Sequence, residues 1–347
     1  MKAITFKKHG DSEVLEYSEV ARPVPGRGEV LIAVRAVSVN HGPDIETRRK
    51  GFSMGGVEMP HIGGVDPAGD IVDVGVDVEG FSVGDRVAVY PVIACGACEF
   101  CLEGAPENYC SNSLLYGVQT QGGRAQFAIA PARQLVHLPE SVSYEAAAAL
   151  GVAYTTTWHG MMERAQLTAQ DTLLVVGAGG GTGVAAVQLA KLFGARVIAL
   201  TGDTWKQERV RELGADEVFS YKDDDWPEKV RAATQGRGVT VVFDNVGSRT
   251  LRSSIDCLAR GGRLFCSGGT TGFEVTLDVR HLYRRLISLY FYVQGSKADM
   301  QKLVALVADG SLNPVVDSVY SLSEAALADD HLDAQKQFGR VLLRIDG

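Results

Sequence analysis

The sequence predicts an α/β chain, with a parallel, doubly wound sheet in its second half and a β-rich region up to about residue 130. Two patterns and the length carry that prediction. From about Tyr154 onward, short apolar runs alternate with helical ones. TLLVV at 172–176 has the length and composition of a buried strand, and VAAVQLAKLFGA behind it reads as a helix stopped at Gly194. RVIAL at 196–200 is the next strand and KQERVRELGA the next helix; VTVVFDNVG and GRLFCSGG continue the series. Helices that return the chain between strands make the strands parallel. Ahead of this series, EVLIAVRAVSVN alternates apolar and polar residues after the turn PGRG. GDIVDVGVDVEGFSVGDRVAVYP is Val-rich and broken by Gly and Asp, the texture of short barrel strands joined by turns. A chain of 347 residues with 46% hydrophobic composition suits two domains with cores that need no staples. The tail adds a helical run, MQKLVALVADG, and a turn at Asn313-Pro314.

Composition removes several classes of function. Charged residues at 22% argue against wholesale disorder. The net charge is -8, the pI is about 5.4, and no Lys/Arg block stands out, so nucleic acid is excluded as a partner. MKAITFKKHG has no apolar core of a secretory signal, and windows such as EAAAALGVAY fall short of a membrane span. Six cysteines in a long chain without a signal point to a reducing cytoplasm, where clustered cysteines bind metal rather than pair.

Cys95, Cys98, Cys101 and Cys110 lie in CGACEFCLEGAPENYC. Four thiols so closely spaced read as one tetrahedral, structural zinc site. Cys257 and Cys266 stand apart and are expected in the core.

The turn after TLLVV is Gly177-Ala178-Gly179-Gly180-Gly181-Thr182-Gly183. A glycine-rich turn between a buried strand and a helix is the context a dinucleotide needs. The glycines admit the pyrophosphate to the backbone, and the helix N-terminus supplies unpaired N–H groups. A carboxylate at the end of the next strand would select NAD by bonding the ribose 2′-hydroxyl. Here RVIAL runs into Thr201-Gly202-Asp203, with Lys206 and Arg209 behind. Thr201 leaves room for a 2′-phosphate and Lys206 can pair with it, so NADPH is the expected cofactor, with Asp203 the one opposing feature.

These segments resemble the medium-chain dehydrogenase/reductase superfamily over essentially the whole chain. The resemblance is to its zinc-binding alcohol dehydrogenase-like and quinone oxidoreductase-like branch. VLIAVRAVSVN leading to Asn40 and Asp44, HIGGVDPAGDIVDVG, the cysteine quartet, GVAYTTTWHGM, VVGAGGGTGVAAVQLAKLFGARVIAL, RELGADEVFSY, VVFDNVG and QFGRVLL carry the match. The resemblance implies a chaperonin-10-like β-barrel catalytic lobe over 1–153, a Rossmann lobe over 154–292, and a return to the barrel over 293–347. It places the active site in the cleft between the lobes and implies homodimers or homotetramers. By position, Thr156 would approach the nicotinamide and Tyr221 the adenosine ribose-phosphate. Asn245 and Ser267, at the ends of later strands of the cofactor lobe, and Arg340, in a place usually held by Lys, would be further cofactor contacts. In the quartet, the Cys101–Cys110 interval is one residue longer than the family pattern.

The zinc alcohol dehydrogenases carry a second, catalytic zinc. At its three ligand positions this chain has Asn40, Val65-Asp66 and Val152; His41, His61 and Asp66 are the nearby remnants of a donor set. A catalytic zinc needs three protein ligands. Without it, hydride transfer to a simple ketone loses several kcal/mol of charge stabilisation, whereas a conjugated acceptor delocalises the developing charge. The expected reaction is therefore NADPH-dependent reduction of an α,β-unsaturated carbonyl or a quinone. Asn40 is the expected donor to the substrate oxygen and His41 the proton donor, with Tyr116 as a second candidate. Asp44 is expected to be structural, paired with Arg48, and Glu46 stands where zinc-free relatives carry an aromatic. Two other readings are an NADP-dependent alcohol dehydrogenase or carbonyl reductase, and a non-catalytic NADPH-binding redox sensor.

Overall fold

The computed structural model describes residues 1–51 and 57–346. The chain forms two compact units, Met1–Thr155 with Ser296–Gly347, and Thr156–Gly295.

The first unit is built on a seven-stranded sheet. Strand Glu29–Val39 lies at its centre and pairs antiparallel with Pro67–Val74, Phe127–Pro131 and Arg340–Arg344. Arg86–Val89 and Leu135–His137 extend one side and Val316–Ser321 the other. Val30, Ile32, Val34, Val37 and Val39 of the central strand are buried with Ile71, Val87, Val341 and Leu343 in one apolar cluster. Register decides what meets at its end. Val39 opposes Val341 and Val37 opposes Pro67. One residue further along, Arg340 therefore falls beside Asn40, and Asp66 beside Ser38.

The Ala-rich helix Tyr144–Ala149 packs on this sheet, capped by Ser143 Oγ accepting from Ala146 N at 3.1 Å. Past it the chain kinks at Gly151, with φ -31° and ψ -108°. A Cβ there would lie 2.2 Å from Asp66 Cγ, so only glycine lets the two segments touch.

The second unit is a six-stranded parallel sheet. In spatial order its strands are Glu217–Phe219, Arg196–Leu200, Thr172–Val176, Val239–Asp244, Leu258–Cys266 and Ser288–Phe291. Chain order reverses between Thr172–Val176 and Val239–Asp244, and ligands of such sheets bind at the carboxyl ends beside that switch. Helices Gly181–Leu192, Thr204–Glu212 and Trp226–Ala233 link the strands. Cys257 and Cys266 are buried in the apolar cluster of this sheet. The GRLFCSGG strand begins earlier than its apolar run suggests, at Leu258. The MQKLVALVADG helix begins at Lys297, where Ser296 and Asp299 form a capping box.

Candidate active site and structural metal centre

The quartet converges. Its four sulfurs lie within 4.8 Å of one another. Cys98 to Cys101, Cys98 to Cys110 and Cys95 to Cys101 are 3.5, 3.8 and 3.9 Å apart. A tetrahedron with zinc–sulfur bonds of about 2.3 Å has edges of about 3.8 Å, so the donor set fits zinc. The long Cys101–Cys110 interval is absorbed by a 3-10 turn at Glu107–Tyr109. Backbone N–H groups of Cys95, Ala97 and Cys98 donate to the sulfurs of Cys110 and Cys95. Backbone hydrogen bonds at Cys101 and Ser111 hold the Cys98 thiol down to about 6, favouring the thiolate a metal needs.

In the parallel-sheet unit, Gly177 has φ +81°, a left-handed turn that suits glycine. A Cβ on Gly183 would sit 2.2 Å from the Gly177 carbonyl oxygen, so strand and helix approach at the backbone. Gly180 caps helix Gly181–Leu192 without a side-chain hydrogen bond, leaving its first N–H groups open to an anion. Thr157 Oγ1 donates to the Thr182 carbonyl at 3.2 Å, fixing the Thr156 segment beside this helix start. Thr156 is buried and its hydroxyl donates to Gln294 Oε1 at 2.8 Å.

The side chains expected around the adenosine ribose also gather. Lys206 Cδ passes 2.8 Å from where a Cβ of Gly179 would be, and Thr201 Oγ1 lies 3.3 Å from the same point. The Tyr221 hydroxyl and Lys222 Cε close over Gly202. Lys222, which the sequence reading passed over, pairs with Asp203 at 2.7 Å. That hydrogen bond holds the Asp203 carboxyl below its usual range. Asn245 Oδ1 accepts from Ser267 N at 2.7 Å, so those two expected contacts are joined. Asp244, also unforeseen, is buried and organises the turn after its strand, accepting from Val246 N, Gly247 N, Thr250 Oγ1 and Ser254 Oγ.

In the barrel unit, the three positions that matched catalytic-zinc ligands do meet, but they bind each other. Asp66 accepts from Ser38 Oγ at 2.6 Å, Asn40 Nδ2 at 3.0 Å and Val152 N at 3.1 Å. Arg340 Nη2 donates to Ser38 Oγ at 2.6 Å and Asn40 Oδ1 at 2.8 Å, and lies 3.5 Å from Asp66. Burial pushes the Asp66 carboxyl up, against the pull of Arg340. A second chain of ions runs alongside. Arg48 and Arg124 flank Asp329 at 3.2 and 2.9 Å, and Arg124 lies 3.8 Å from Asp44. All these ions are buried.

Several expectations change. Asn40 is buried, and its amide N–H groups face Ser38, Asp44 and Asp66, so it has no donor left for a substrate oxygen. Asp44 is structural, but its partner is not Arg48, which turns to Asp329. Asp44 caps the backbone N–H of Asn40 and Gly64 at 2.8 and 2.9 Å and faces Arg124. Residues 41–46 form a π-helical turn, wide enough for Asp44 to reach back in this way. Tyr116 is buried and donates to the Ile129 carbonyl at 3.0 Å, which removes it as a proton donor. His41 stays accessible, its side chain 39% exposed and 3.5 Å from Asp333. Glu46 pairs with Lys50 at 2.6 Å. The sequence also draws cleft-lining side chains from loops such as KGFSMGGVEMP at 50–60, of which residues 52–56 lie outside the described residues.

Residues 26–140 match the alcohol dehydrogenase GroES-like domain and residues 181–309 the zinc-binding dehydrogenase family. The chain belongs to the zinc-binding medium-chain dehydrogenase/reductase family. It is similar to an acryloyl-coenzyme A reductase of Metallosphaera sedula, 31% identical over 99% of each chain. It is 28% identical to the quinone oxidoreductase of Rattus norvegicus, over 99% of this chain and 97% of that one. A solved NAD-dependent alcohol dehydrogenase superposes with a TM-score of 0.94 at 36% identity, covering 100% of both chains. The chain is thus an oxidoreductase of this family, with a donor set suited to structural zinc and a glycine-rich loop at a helix start. The family's catalytic zinc does not fit. Its positions offer one carboxylate, already bonded to an amide and a guanidinium, and among the described residues only the quartet brings three or more metal donors together. No helix among the described residues is long and apolar enough to cross a membrane.

Proposed function

We propose that this protein is an NADPH-dependent reductase of conjugated acceptors, reducing the C=C bond of an α,β-unsaturated carbonyl or a quinone without a catalytic metal. One observation carries the reading: Asn40, Asp66 and Val152 occupy the metal-ligand positions and hydrogen-bond to each other and to Arg340. A simple ketone loses several kcal/mol of charge stabilisation without a Lewis acid there; a conjugated acceptor spreads the charge and needs only hydrogen-bond donors. The acryloyl-coenzyme A and quinone specificities of similar proteins support the same class.

Thr201 and Lys206 beside Gly179 support a 2′-phosphate and hence NADPH, and Asp203 does not oppose it, because Lys222 neutralises it. Bound NADPH supplies the hydride. The protein's part is to seat the pyrophosphate on Gly177–Gly183 and to hold donors for the substrate oxygen. His41 is the exposed proton donor of the barrel unit, oriented by Asp333. The quartet holds one structural zinc. Strand Ser288–Phe291 forms an edge of its sheet, with Phe291 and Val293 56% and 71% exposed, which supports a homo-oligomer.

The similarity to an alcohol dehydrogenase favours a second reading, oxidation of secondary alcohols. Metal analysis with a substrate screen separates the two. One zinc per chain with enone or quinone turnover supports the proposal. Two zincs per chain, or turnover of alcohols alone, would end it.

A further inference from the structure

Thr156 is pinned at three points within the parallel-sheet unit. Its hydroxyl donates to Gln294 Oε1 at 2.8 Å, and its carbonyl accepts from the Tyr292 hydroxyl at 2.9 Å. Beside it, Thr157 Oγ1 donates to the Thr182 carbonyl at 3.2 Å. Tyr292 and Gln294 follow strand Ser288–Phe291, so they leave the sheet at its carboxyl end, the end that also carries the Gly177–Gly183 turn. The segment has little slack. Thr156 and Gln294 are 4% and 6% exposed, and a Cβ on Gly160 would fall 2.1 Å from the Tyr292 hydroxyl oxygen. Gln294 also has φ +52°, a left-handed backbone that residues other than Gly, Asn and Asp rarely adopt. Residues held in such conformations cluster at ligand clamps. A hydroxyl has one proton, so with that proton given to Gln294 the Thr156 oxygen is left as an acceptor.

We propose that Gln294 is a positioning residue for the nicotinamide ring: by taking the Thr156 proton, it fixes the hydroxyl oxygen as an acceptor for the carboxamide N–H of the bound dinucleotide. The proposal rests on the reading of Gly177–Gly183 as a dinucleotide site and is independent of which acceptor is reduced. The glycine turn seats the pyrophosphate, which leaves the ring free to rotate about its glycosidic bond. The carboxamide is the polar handle on that ring. A hydroxyl free to rotate offers either its proton or its lone pairs, and so takes the carboxamide by its oxygen or by its nitrogen. Gln294 removes that choice and leaves one ring orientation. Tyr292 holds the backbone of the same residue, and burial pushes its phenol well above the usual range, so it stays a donor. Gln294 acts through Thr156 and does not itself touch the cofactor.

The test uses the zinc-loaded protein with NADPH, or with NADH where that is the dinucleotide the wild type binds. It reads the fluorescence lifetime and anisotropy of the bound reduced nicotinamide, which need no substrate. Gln294→Asn keeps an amide and tolerates the left-handed backbone but is too short to reach Thr156. Gln294→Glu keeps the length and an acceptor. Thr156→Val is nearly isosteric and guards against misfolding. Gln294→Asn and Thr156→Val are each expected to shorten the lifetime and lower the anisotropy, with a dinucleotide Kd near that of the wild type, and Gln294→Glu to restore both. With an acceptor that the wild type reduces, the same two variants are expected to lose ~10–10²-fold in kcat, as misalignment does. The double variant should lose no more than Thr156→Val alone, because Gln294 acts through that hydroxyl. Additive losses, an unchanged lifetime in either single variant, or a weakened Kd with the bound lifetime preserved overturns the proposal. If the wild type binds the dinucleotide and reduces no conjugated acceptor, the functional reading fails, and the fluorescence still decides the role of Gln294.

Discussion

Asp66 shows how one residue comes to bear several duties. It joins a hydroxyl, an amide, a backbone N–H and a guanidinium within one buried pocket of polarity. Removing one partner of such a pair strands the other, which typically costs ~3–5 kcal/mol. Asp66→Ala is therefore expected to lose about that much stability in urea unfolding, with Arg340 left unpaired. Gly151→Ala should fail for a different reason. Its Cβ would occupy the place of Asp66 Cγ, so a loss of about 1–3 kcal/mol in the same measurement is expected. At this scale the sequence showed Asn40, Val65 and Val152 as weak or non-ligating side chains at the expected metal positions. It did not disclose what filled the gap, because Arg340 and Asp66 lie 274 residues apart and only sheet register brings them together. The same limit hid Arg124 and Asp329, each an unremarked polar residue in its own segment.

At the scale of elements, helix Ala325–Asp333 places Asp329 and Asp333 four residues apart, on one face. Asp329 serves the buried Arg48 and Arg124; Asp333 serves Arg49 through two hydrogen bonds of 2.8 and 2.6 Å. Arg49 holds the Asp333 carboxyl below its usual range. A depressed carboxyl stabilises the fold above its unfolded pKa and loses that effect as pH falls through its folded one. Asp333→Asn is thus expected to be less stable than the wild type by a constant margin from pH 7 to pH ~5, and the margin should shrink below pH ~4 in parallel denaturation series. A margin that widens in acid would contradict the assignment. The cysteine lobe is a separate element. Cys98→Ser is expected to lose the zinc, by elemental analysis, and to lower the Tm while NADPH binding persists. Short spacing made this lobe readable from sequence, as it made the glycine loop readable: both are local, and their chemistry is written within about sixteen residues. The π-helical turn at His41–Glu46 was not readable, since helical spacing alone does not reveal an extra residue in a turn.

For the whole molecule, cofactor choice is the property most open to test. A hydrogen bond to a charged group contributes about 1.5–3 kcal/mol, so Lys206→Ala should raise the KM for NADPH by ~10–100-fold and leave that for NADH nearly unchanged. An equal effect on both cofactors would place Lys206 in the fold rather than at the 2′-phosphate. The parallel sheet was readable because alternation of strand and helix permits few topologies. The barrel was less so, since its strands pair across long intervals, as Glu29–Val39 does with Arg340–Arg344.

The clamp around Arg340 also bears on descent. Asn40→Cys would remove the amide that joins Arg340 to two carboxylates, and Asp66→His would strip the guanidinium of its counter-ion. The second step alone leaves the buried guanidinium unpaired at ~3–5 kcal/mol, against a total stability of ~5–15 kcal/mol for a typical protein. A zinc site at these positions would need several replacements at once. The interior works as a ratchet, in which each buried polar group holds the others in place.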